Sequence, residues 1–231
     1  MADSPSPFGA DAPLPSPLKG RGVYAVKEIF LTLQGEGMQA GRRAVFLRFA
    51  GCNLWSGREQ DRASAQCRFC DTDFIGVDGL GGGKFGDSGA LGDAVQRVWG
   101  AGGENRLVVI TGGEPMLQLA SALVDALHRR GFRIAMESNG TLAAIPGVDW
   151  LCISPKAGTD VVQRRGDELK LVWPQDGIDP AELESWDFAH FLVQPMDCEA
   201  ADEAVAAAIA LAMERPKWKL SLQAHKLVGL P

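Results

Sequence analysis

The sequence LVVITGGEPMLQLASALVDALHRRGFRIAME, residues 107–137, contains a complete strand–helix–strand unit. Leu107–Thr111 and Arg133–Glu137 are short apolar runs with the length and composition of buried strands. Between them, Met116–Arg130 carries apolar side chains at helical spacing, and Gly131 is a typical helix stop. Because a right-handed helical crossover places two such strands side by side and parallel, this unit predicts an α/β fold.

The alternation of apolar strands and helical segments continues on both sides of this unit. A second helix is predicted over Ala200–Glu214. The further predicted strands are Ala25–Leu33, Ala44–Ala50, Trp150–Ser154, Glu168–Val172, His190–Gln194 and Trp218–Leu222. No break separates two domains, so we predict one domain over residues 23–231. Its sheet is either doubly wound or a partial barrel, and in both folds catalytic groups collect at the carboxyl ends of the strands.

The composition favours a small-molecule substrate. The formal net charge is −6, so a broad surface for nucleic-acid phosphates is not expected. No apolar run reaches about 18 residues, and no basic start precedes an apolar stretch near the N-terminus. We therefore expect a cytoplasmic protein that neither crosses a membrane nor binds one. Residues 1–22 are rich in proline and small residues, and we expect a disordered tail there.

Polar or glycine-rich clusters follow six of the predicted strands directly. They are Gln34–Gly37, Gly51–Asn53, Thr111–Pro115, Glu137–Gly140, Ser154–Lys156 and Gln194–Asp197. Each could by itself be a turn or a helix cap. Six in succession predict instead that these residues converge at one edge of the sheet. Gly81–Gly86 matches a dinucleotide-binding pattern in its letters, but no clear strand precedes it, and we interpret it as a flexible loop.

Three of the five cysteines lie on one predicted loop, namely Cys52, Cys67 and Cys70. A structural zinc site normally has four nitrogen or sulfur ligands. Three thiolates on an iron–sulfur cubane leave one iron free for a further ligand, which suits a catalytic cluster. A zinc site or a redox pair remains the alternative. Cys152 and Cys198 are expected to be structural, because each lies in an apolar or helical stretch.

The cysteine loop resembles that of the radical S-adenosylmethionine (SAM) superfamily. Phe69 occupies the aromatic position that directly precedes the last cysteine in that superfamily. Thr111–Pro115 is similar to the superfamily's glycine-rich motif, which meets the amino group of the cofactor's methionine moiety. The loop departs from the usual pattern at Ser56, where a cysteine usually stands, and Cys67 replaces it after an insertion.

Further segments narrow the resemblance, namely Glu28–Phe30, Leu33–Gly37, Arg48, Gly51–Leu54, Cys70–Thr72 and His225–Pro231. Together they resemble one group within that superfamily, the 7-carboxy-7-deazaguanine synthase family, over about residues 24–231. Some members of this family share the long first gap between cysteines. The resemblance implies an α/β fold that is a partial parallel β/α barrel of the radical SAM type. It also implies conversion of 6-carboxy-5,6,7,8-tetrahydropterin to 7-carboxy-7-deazaguanine with loss of ammonia, a step toward queuosine and other 7-deazapurines.

The same resemblance implies the cofactors and the residues that bind them. Cys52, Cys67 and Cys70 are expected to hold a 4Fe-4S cluster, and Thr72 is expected to meet Mg²⁺. The residues expected to contact SAM are Gly113, Glu137, Ser154, Pro155, Lys156, Gln194, Pro195, Met196 and Asp197. The residues expected to surround the pterin are Leu33, Gln34, Gly35, Glu36, Arg48, Thr111, His225 and Pro231 with its terminal carboxylate. Arg48 suits the substrate carboxylate because its planar guanidinium can pair with both oxygens.

The sequence also bears on binding partners and on two alternative functions. The resemblance implies a one-electron donor such as flavodoxin or ferredoxin, and a homodimer. A radical SAM enzyme that activates a glycyl-radical protein is an alternative, because the chain length and the cysteine loop also suit it. From another class, a zinc-binding regulatory module would use the same cysteines without redox activity. His128 and His190 are expected to be structural.

Overall fold

The computed structural model describes residues 23–231, and the predicted N-terminal tail lies outside this range. One sheet contains β1 (Tyr24–Leu33), β2 (Arg43–Phe49), β3 (Gly83–Phe85), β4 (Leu107–Gly112), β5 (Arg133–Ser138), β6 (Trp150–Ile153), β7 (Arg165–Trp173), β8 (Asp187–Pro195) and β9 (Trp218–Leu220). The α-helices are α1 (Ser88–Trp99), α2 (Ser121–His128), α3 (Pro180–Leu183), α4 (Ala201–Glu214) and α5 (Ala224–Leu227). Short 3-10 segments occupy Gly37–Gln39, Glu59–Ser64 and Pro115–Leu117. Within residues 23–231, none of the helices has the length and apolar character needed to cross a bilayer.

The strand order distinguishes the two folds that the sequence allowed. The order is β3-β1-β2-β4-β5-β6-β7-β8-β9, and every pair from β2 to β9 is parallel. A doubly wound sheet reverses its strand order partway, whereas these strands follow one another in a single direction. The two end strands do not pair with each other, so the sheet stays open. The partial parallel barrel is therefore confirmed, together with all eight strands predicted from the sequence.

The first edge of the sheet is antiparallel, which corrects the expectation of a wholly parallel sheet. β1 runs antiparallel to both β2 and β3. Only residues 34–42 connect β1 to β2, and parallel strands need a crossover of about a dozen residues or more. The interpretation of Gly81–Gly86 as a flexible loop was also wrong, because Gly83–Phe85 pairs with Tyr24–Val26. This short glycine-containing segment has no strand pattern of its own, and the long neighbouring strand supplies its pairing.

The helix predicted over Met116–Arg130 is shorter in the structure. A 3-10 turn comes first, and Ala120 is then extended (φ −122°, ψ 152°), so that α2 begins only after it. The side chain of Gln118 holds the segment between them against the sheet. Its amide oxygen accepts from the backbone N–H of Ala25 at 2.7 Å, and its amide nitrogen donates to the carbonyl of Ala50 at 2.7 Å. The second predicted helix, by contrast, is confirmed as α4.

The two faces of the sheet have different cores. The larger hydrophobic core lies between the sheet and the helices, and it includes Leu169 and Leu171 of β7. A small second cluster, which contains Val109 and Ala135, lies on the opposite, concave face. Residues two apart on a strand share a face. On the concave face, the side chains are therefore apolar along the strands and polar near the carboxyl ends of the strands.

Candidate active site

A cavity of about 360 Å³ opens at the carboxyl ends of β2 and of β4 to β8. Each of the six polar clusters that follow the strands contributes at least one lining residue, which confirms that they converge. Every predicted site residue lines the cavity except Pro155 and Met196. These two are chain neighbours of lining residues, and their roles stay predictions.

The three clustered cysteines all open on this cavity. Interaction between the neighbouring thiols of Cys67 and Cys70 lowers the pKa of Cys70 to about 6 and raises the pKa of Cys67. The Cys52 thiol accepts a hydrogen bond from the backbone N–H of Leu54 at 3.4 Å, and burial raises its pKa. Among residues 23–231, no three His, Cys, Asp or Glu side chains surround the position of a single ion. A cubane takes each thiolate on a different iron, so three thiols that open on one cavity fit such a cluster.

The insertion between the first two cysteines has its own structural role. Its 3-10 segment carries Arg62, whose guanidinium lies 4.1 Å from the ring centroid of Trp55. Arg62 also donates to the carbonyl of Arg68 at 2.8 Å and to that of Cys70 at 3.2 Å. The insertion therefore folds back and supports the close pair of cysteines.

The glycine-rich turn after β4 packs directly against the cysteine loop. A Cβ atom on Gly113 would lie 2.3 Å from the carbonyl oxygen of Gly51, so a side chain cannot be accommodated there. The next residue, Glu114, is fully buried and accepts hydrogen bonds at 2.9 Å from Ser138 Oγ and from the backbone N–H of Asn139. Burial raises its pKa. Glu114 therefore ties the loop after β4 to the loop after β5.

Lys156 stands on the same side of the cavity as the close pair of cysteines. Its ammonium donates to the carbonyl oxygen of Ser154 at 2.8 Å and to its hydroxyl at 2.7 Å. The ammonium also lies 5.9 Å from the ring centroid of Phe69. Burial lowers the pKa of Lys156, and the neighbouring thiols oppose that shift. This wall can therefore present a cation and a hydroxyl close to the cysteines.

Glu137 lies among the residues predicted for the pterin. Its carboxylate accepts from the side-chain amide of Gln34 at 3.0 Å and from the hydroxyl of Thr111 at 3.5 Å. Lys170 of β7 contacts the same carboxylate at 3.5 Å. The resemblance implied a contact with SAM for Glu137, and that role stays a prediction beside this geometry.

Arg48 faces the cavity near the end of β2. Its Nε donates to Glu28 Oε1 at 2.7 Å, because a register shift after Val26 places Glu28 directly opposite Arg48. The two terminal nitrogens of the guanidinium have no hydrogen-bond partner among residues 23–231. Nε thus orients the guanidinium of Arg48, and the two terminal nitrogens remain available to donate hydrogen bonds to a ligand.

The C-terminal segment covers the open side of the cavity. The ring of His225 packs on Gly35, where an added Cβ would lie 2.0 Å from Nδ1, and the backbone N–H of Ala224 donates to the Gly35 carbonyl at 2.9 Å. Pro231 accepts a hydrogen bond from the hydroxyl of Thr32 at 3.2 Å. The predicted pterin residues from the two ends of the chain therefore meet.

Polar side chains hold this segment to the cysteine loop and to the connections after β1 and β8. Lys226 donates to Asp71 at 2.7 Å and to Asp197 at 2.5 Å. Gln223 donates to Glu36 at 2.9 Å and to Asp71 at 3.2 Å. The apolar residues of α5 and those just after it are exposed. The C-terminal segment is therefore attached by charge and hydrogen bonding more than by burial.

Of the remaining candidate residues, Thr72 lines the cavity and the others lie outside it. Thr72 lines the cavity directly beyond the last cysteine, and its hydroxyl makes no hydrogen bond to residues 23–231. Cys152 is buried within β6 and Cys198 is exposed before α4, and neither lines the cavity. His128 pairs with Asp149 at 2.9 Å, and the ring of His190 stacks on a tryptophan, both away from the cavity.

Several residues that line the cavity were not among the site residues predicted from the sequence. They are Glu28, Lys170, Gln223 and Lys226. A signal existed for Lys170, since a lone charged residue between Leu169 and Leu171 must face the opposite side of a buried strand from its neighbours. Glu28 and Lys226 lie in segments that carry the family resemblance, but no local signal assigns them or Gln223 to the cavity, because their contacts span 20 to 187 positions of sequence.

Proteins of known family resemble this chain over nearly its whole length, although no protein-family model matches it. The 7-carboxy-7-deazaguanine synthase of Caulobacter vibrioides is 58% identical over 209 residues, which are 90% of this chain and 100% of the relative. The 7-carboxy-7-deazaguanine synthase of Bordetella pertussis is 56% identical with the same coverage. The crystal structure of QueE from Escherichia coli matches with a TM-score of 0.67 at 26% identity, and covers 88% of this chain and 95% of that one.

These relatives match the whole of the domain that builds the cavity. An identity of 56% to 58% across complete relatives leaves no room for a match limited to one motif or one half of the barrel. The structural match likewise extends over 88% of this chain. The family resemblance of the sequence is thereby confirmed, and the chain belongs to the 7-carboxy-7-deazaguanine synthase family.

Proposed function

We propose that this chain is a radical SAM lyase that converts 6-carboxy-5,6,7,8-tetrahydropterin to 7-carboxy-7-deazaguanine with loss of ammonia. The reaction would serve the biosynthesis of queuosine and other 7-deazapurines. The observation that carries the proposal is the shared cavity, on which the three cysteines and the guanidinium of Arg48 both open. A cluster and a flat, carboxylated substrate can therefore reach one another.

Membership of a radical SAM family implies a 4Fe-4S cluster and SAM, and the residues that line the cavity fit both. Cys52, Cys67 and Cys70 would hold three irons and leave the fourth for SAM. When bound, the cluster supplies the electron for reductive cleavage of the SAM sulfonium. Gly113 packs its backbone against the cysteine loop and also lines the cavity, where the glycine-rich motif would meet SAM.

Residues around the cavity would bind SAM from two sides. Ser154 and Lys156 offer a hydroxyl and an ammonium on one side, while Gln194 and Asp197 offer an amide and a carboxylate on the other. Such a set of donors and acceptors suits the hydroxyl, amino and carboxylate groups of SAM. Their pairing with particular atoms of SAM belongs to the proposal.

The pterin would lie between Arg48 and the carboxylates of the concave face. Arg48 has two free donors for the substrate carboxylate, and Glu137 offers an acceptor for N–H groups of the ring. His225 and Pro231 would close the cavity on the side of the C-terminal segment. Closure excludes water, which protects a reactive substrate and strengthens its electrostatic contacts.

Mg²⁺ would bind at Thr72. A hard cation prefers oxygen ligands, and the Thr72 hydroxyl has no other partner among residues 23–231. One protein oxygen leaves most coordination positions to water and to the substrate, as is usual for Mg²⁺. The ion would then orient the pterin, with no role in binding the sulfonium.

The proposal extends to partners. A one-electron donor such as flavodoxin or ferredoxin would supply the cluster, and the chain would act as a homodimer in the cytoplasm. A reducing compartment suits it, because its five cysteines are all free thiols in the structure.

Anaerobic turnover tests the proposed function. The reconstituted protein, given the pterin, SAM, Mg²⁺ and a chemical reductant, should form 7-carboxy-7-deazaguanine and ammonia in equal amounts. Cys70→Ala is the matched control and should form neither. Stoichiometric zinc without iron in the anaerobically purified protein would contradict the proposal and favour a zinc-binding module. SAM cleavage that is stimulated by a protein substrate and never by the pterin would favour a glycyl-radical activating enzyme.

A further inference from the structure

Lys170 is a buried cation in the cavity wall. Only 5% of its side chain is exposed, and it lies on β7 between Leu169 and Leu171, which face the hydrophobic core on the other side of the sheet. Burying an unpaired ammonium is costly, so a lysine at such a position needs anionic partners. Its side chain lines the cavity, beyond the small apolar cluster of the concave face.

Two carboxylates from different parts of the chain provide those partners. Lys170 Nζ forms an ion pair with Glu36, from the connection after β1, and lies 3.5 Å from Glu137 Oε1, on β5. Two side-chain amides complete the arrangement, because Gln34 donates to Glu137 at 3.0 Å and Gln223 donates to Glu36 at 2.9 Å. The network thus joins three elements of the barrel and the C-terminal segment.

The cation keeps the Glu36 carboxylate ionised despite burial. Burial alone would raise the pKa of Glu36, but the charge of Lys170 and the hydrogen bonds from Lys170 and Gln223 hold that pKa below its ordinary value. Burial would likewise lower the pKa of Lys170, but Glu137 and Glu36 raise it well above its ordinary value. Lys170 therefore stays protonated.

The arrangement leaves acceptor capacity free toward the cavity. Glu137 Oε2 has only the hydroxyl of Thr111 as a partner among residues 23–231, at 3.5 Å. A carboxylate oxygen can accept two hydrogen bonds, so this oxygen can still take donors from a ligand. A pterin carries such donors side by side, as the ring N–H and amino groups of its pyrimidine edge.

We propose that Lys170 is a positioning residue that fixes Glu36 and Glu137 as a pair of anionic acceptors for the N–H groups along one edge of the pterin. This inference rests on the proposed function. Lys170 acts through the two carboxylates and touches no reacting atom. Without it, two like charges would share a buried site, and at least one would take up a proton and become a donor.

Other ionisable groups that face this network do not replace Lys170. They are Glu168 on β7, Cys152 on β6 and Lys156 after β6. Glu168 is occupied, because it accepts from the backbone N–H of Met38 at 3.0 Å and from the indole of Trp150 at 3.1 Å. Burial raises the pKa of Cys152 well above its ordinary value, so this thiol is neutral. Lys156 is directed to Ser154.

The test compares the pH profile of Lys170→Met with that of the wild-type enzyme. We expect kcat/KM for the pterin to fall about tenfold or more at pH 7 and to recover as the pH rises, because each unit of increase in a carboxyl pKa above the working pH costs about tenfold in its ionised form. The wild-type profile should lack this acid limb. Lys170→Arg should restore much of the loss. Lys217→Met, which removes an exposed lysine outside the cavity, controls for net charge.

The outcomes separate this inference from the proposed function. If the wild-type enzyme does not turn over the pterin, the proposed function fails. If it does, and Lys170→Met keeps the wild-type kcat/KM or loses activity equally at every pH, the role of Lys170 is refuted. Iron content should stay at the wild-type level in Lys170→Met, so that a loss of turnover is not a loss of the cluster.

A second measurement uses the wild-type enzyme alone, so it holds even if Lys170→Met fails to fold. A substrate analogue with a carbonyl in place of the 2-amino group presents an acceptor to the two carboxylates. We expect it to bind at least about 100-fold more weakly than the pterin, because a site built for a donor rejects an analogue without one. Equal binding would overturn the proposal.

Discussion

Replacing Arg48 by alanine should weaken pterin binding specifically. Arg48 Nε is held by Glu28 at 2.7 Å, and the two terminal nitrogens are the free donors of this side chain in the cavity. Hydrogen bonds to charged groups contribute about 1.5 to 3 kcal/mol each relative to solvent. With 18% of the Arg48 side chain exposed, water screens part of this interaction. For a two-point contact we therefore expect a loss of about 2 to 3 kcal/mol, or roughly 30- to 150-fold in affinity.

A second effect of the same change can be isolated. Arg48→Ala leaves the Glu28 carboxylate without its partner, and this charge repels the substrate carboxylate. The double variant Glu28→Ala/Arg48→Ala should therefore bind the pterin more tightly than Arg48→Ala alone, though more weakly than the wild type. Arg48→Lys keeps the charge but loses the planar fork, and should fall between wild type and Arg48→Ala.

The assay is anaerobic calorimetry of pterin binding, together with KM for the pterin at saturating SAM. Arg43→Ala is a matched control from the other end of β2, where Arg43 contacts Trp99 and lies outside the cavity. It should leave pterin affinity unchanged. Iron content and SAM cleavage without pterin should be normal in both variants. Wild-type pterin affinity in Arg48→Ala would refute the assignment of Arg48 to the substrate carboxylate.

Three further predictions concern the cluster, the metal ion and the C-terminal segment. Anaerobic reconstitution should give about four irons per chain. Alanine at any one of the three cavity cysteines should abolish the cluster, whereas Cys152→Ala and Cys198→Ala should keep it. Iron retained in a cavity-cysteine variant would contradict this prediction. Thr72→Ala should shift the Mg²⁺ dependence of turnover to higher concentration and leave SAM cleavage largely intact, and an unchanged dependence would remove Thr72 from the metal site. Lys226→Ala should raise KM for the pterin several-fold and increase hydrogen exchange in residues 221–231, because two ion pairs are lost; unchanged exchange would show that other contacts hold the segment.

Much of the fold was predictable because the barrel strands are apolar on both faces and the clusters after them are polar. The missing parts have physical causes. β3 depends on pairing with β1 and has no pattern of its own. The start of α2 depends on Gln118, whose side chain bonds to Ala25 across 93 positions of sequence. Neither contact can be read from local periodicity.

In the candidate site, too, some residues were predictable from the sequence and others were not. Cys52, Cys67 and Cys70 were identifiable because thiols at this spacing on one loop have few other uses. Lys170 was missed, although its position between Leu169 and Leu171 marked it as facing the other side of the sheet. Its partner Glu36 lies 134 positions away, so only the closed barrel brings the ion pair together.

The most direct measurement follows the hydrogen atom at C6 of the pterin. The enzyme is incubated anaerobically with SAM, Mg²⁺, a reductant and pterin deuterated at C6, and the products are analysed by mass spectrometry. We expect 7-carboxy-7-deazaguanine together with 5′-deoxyadenosine that carries deuterium, because the radical formed from SAM would take its hydrogen atom from C6 of the pterin. Unlabelled 5′-deoxyadenosine formed without the deazaguanine, in protein that holds its full cluster, would contradict the proposed function.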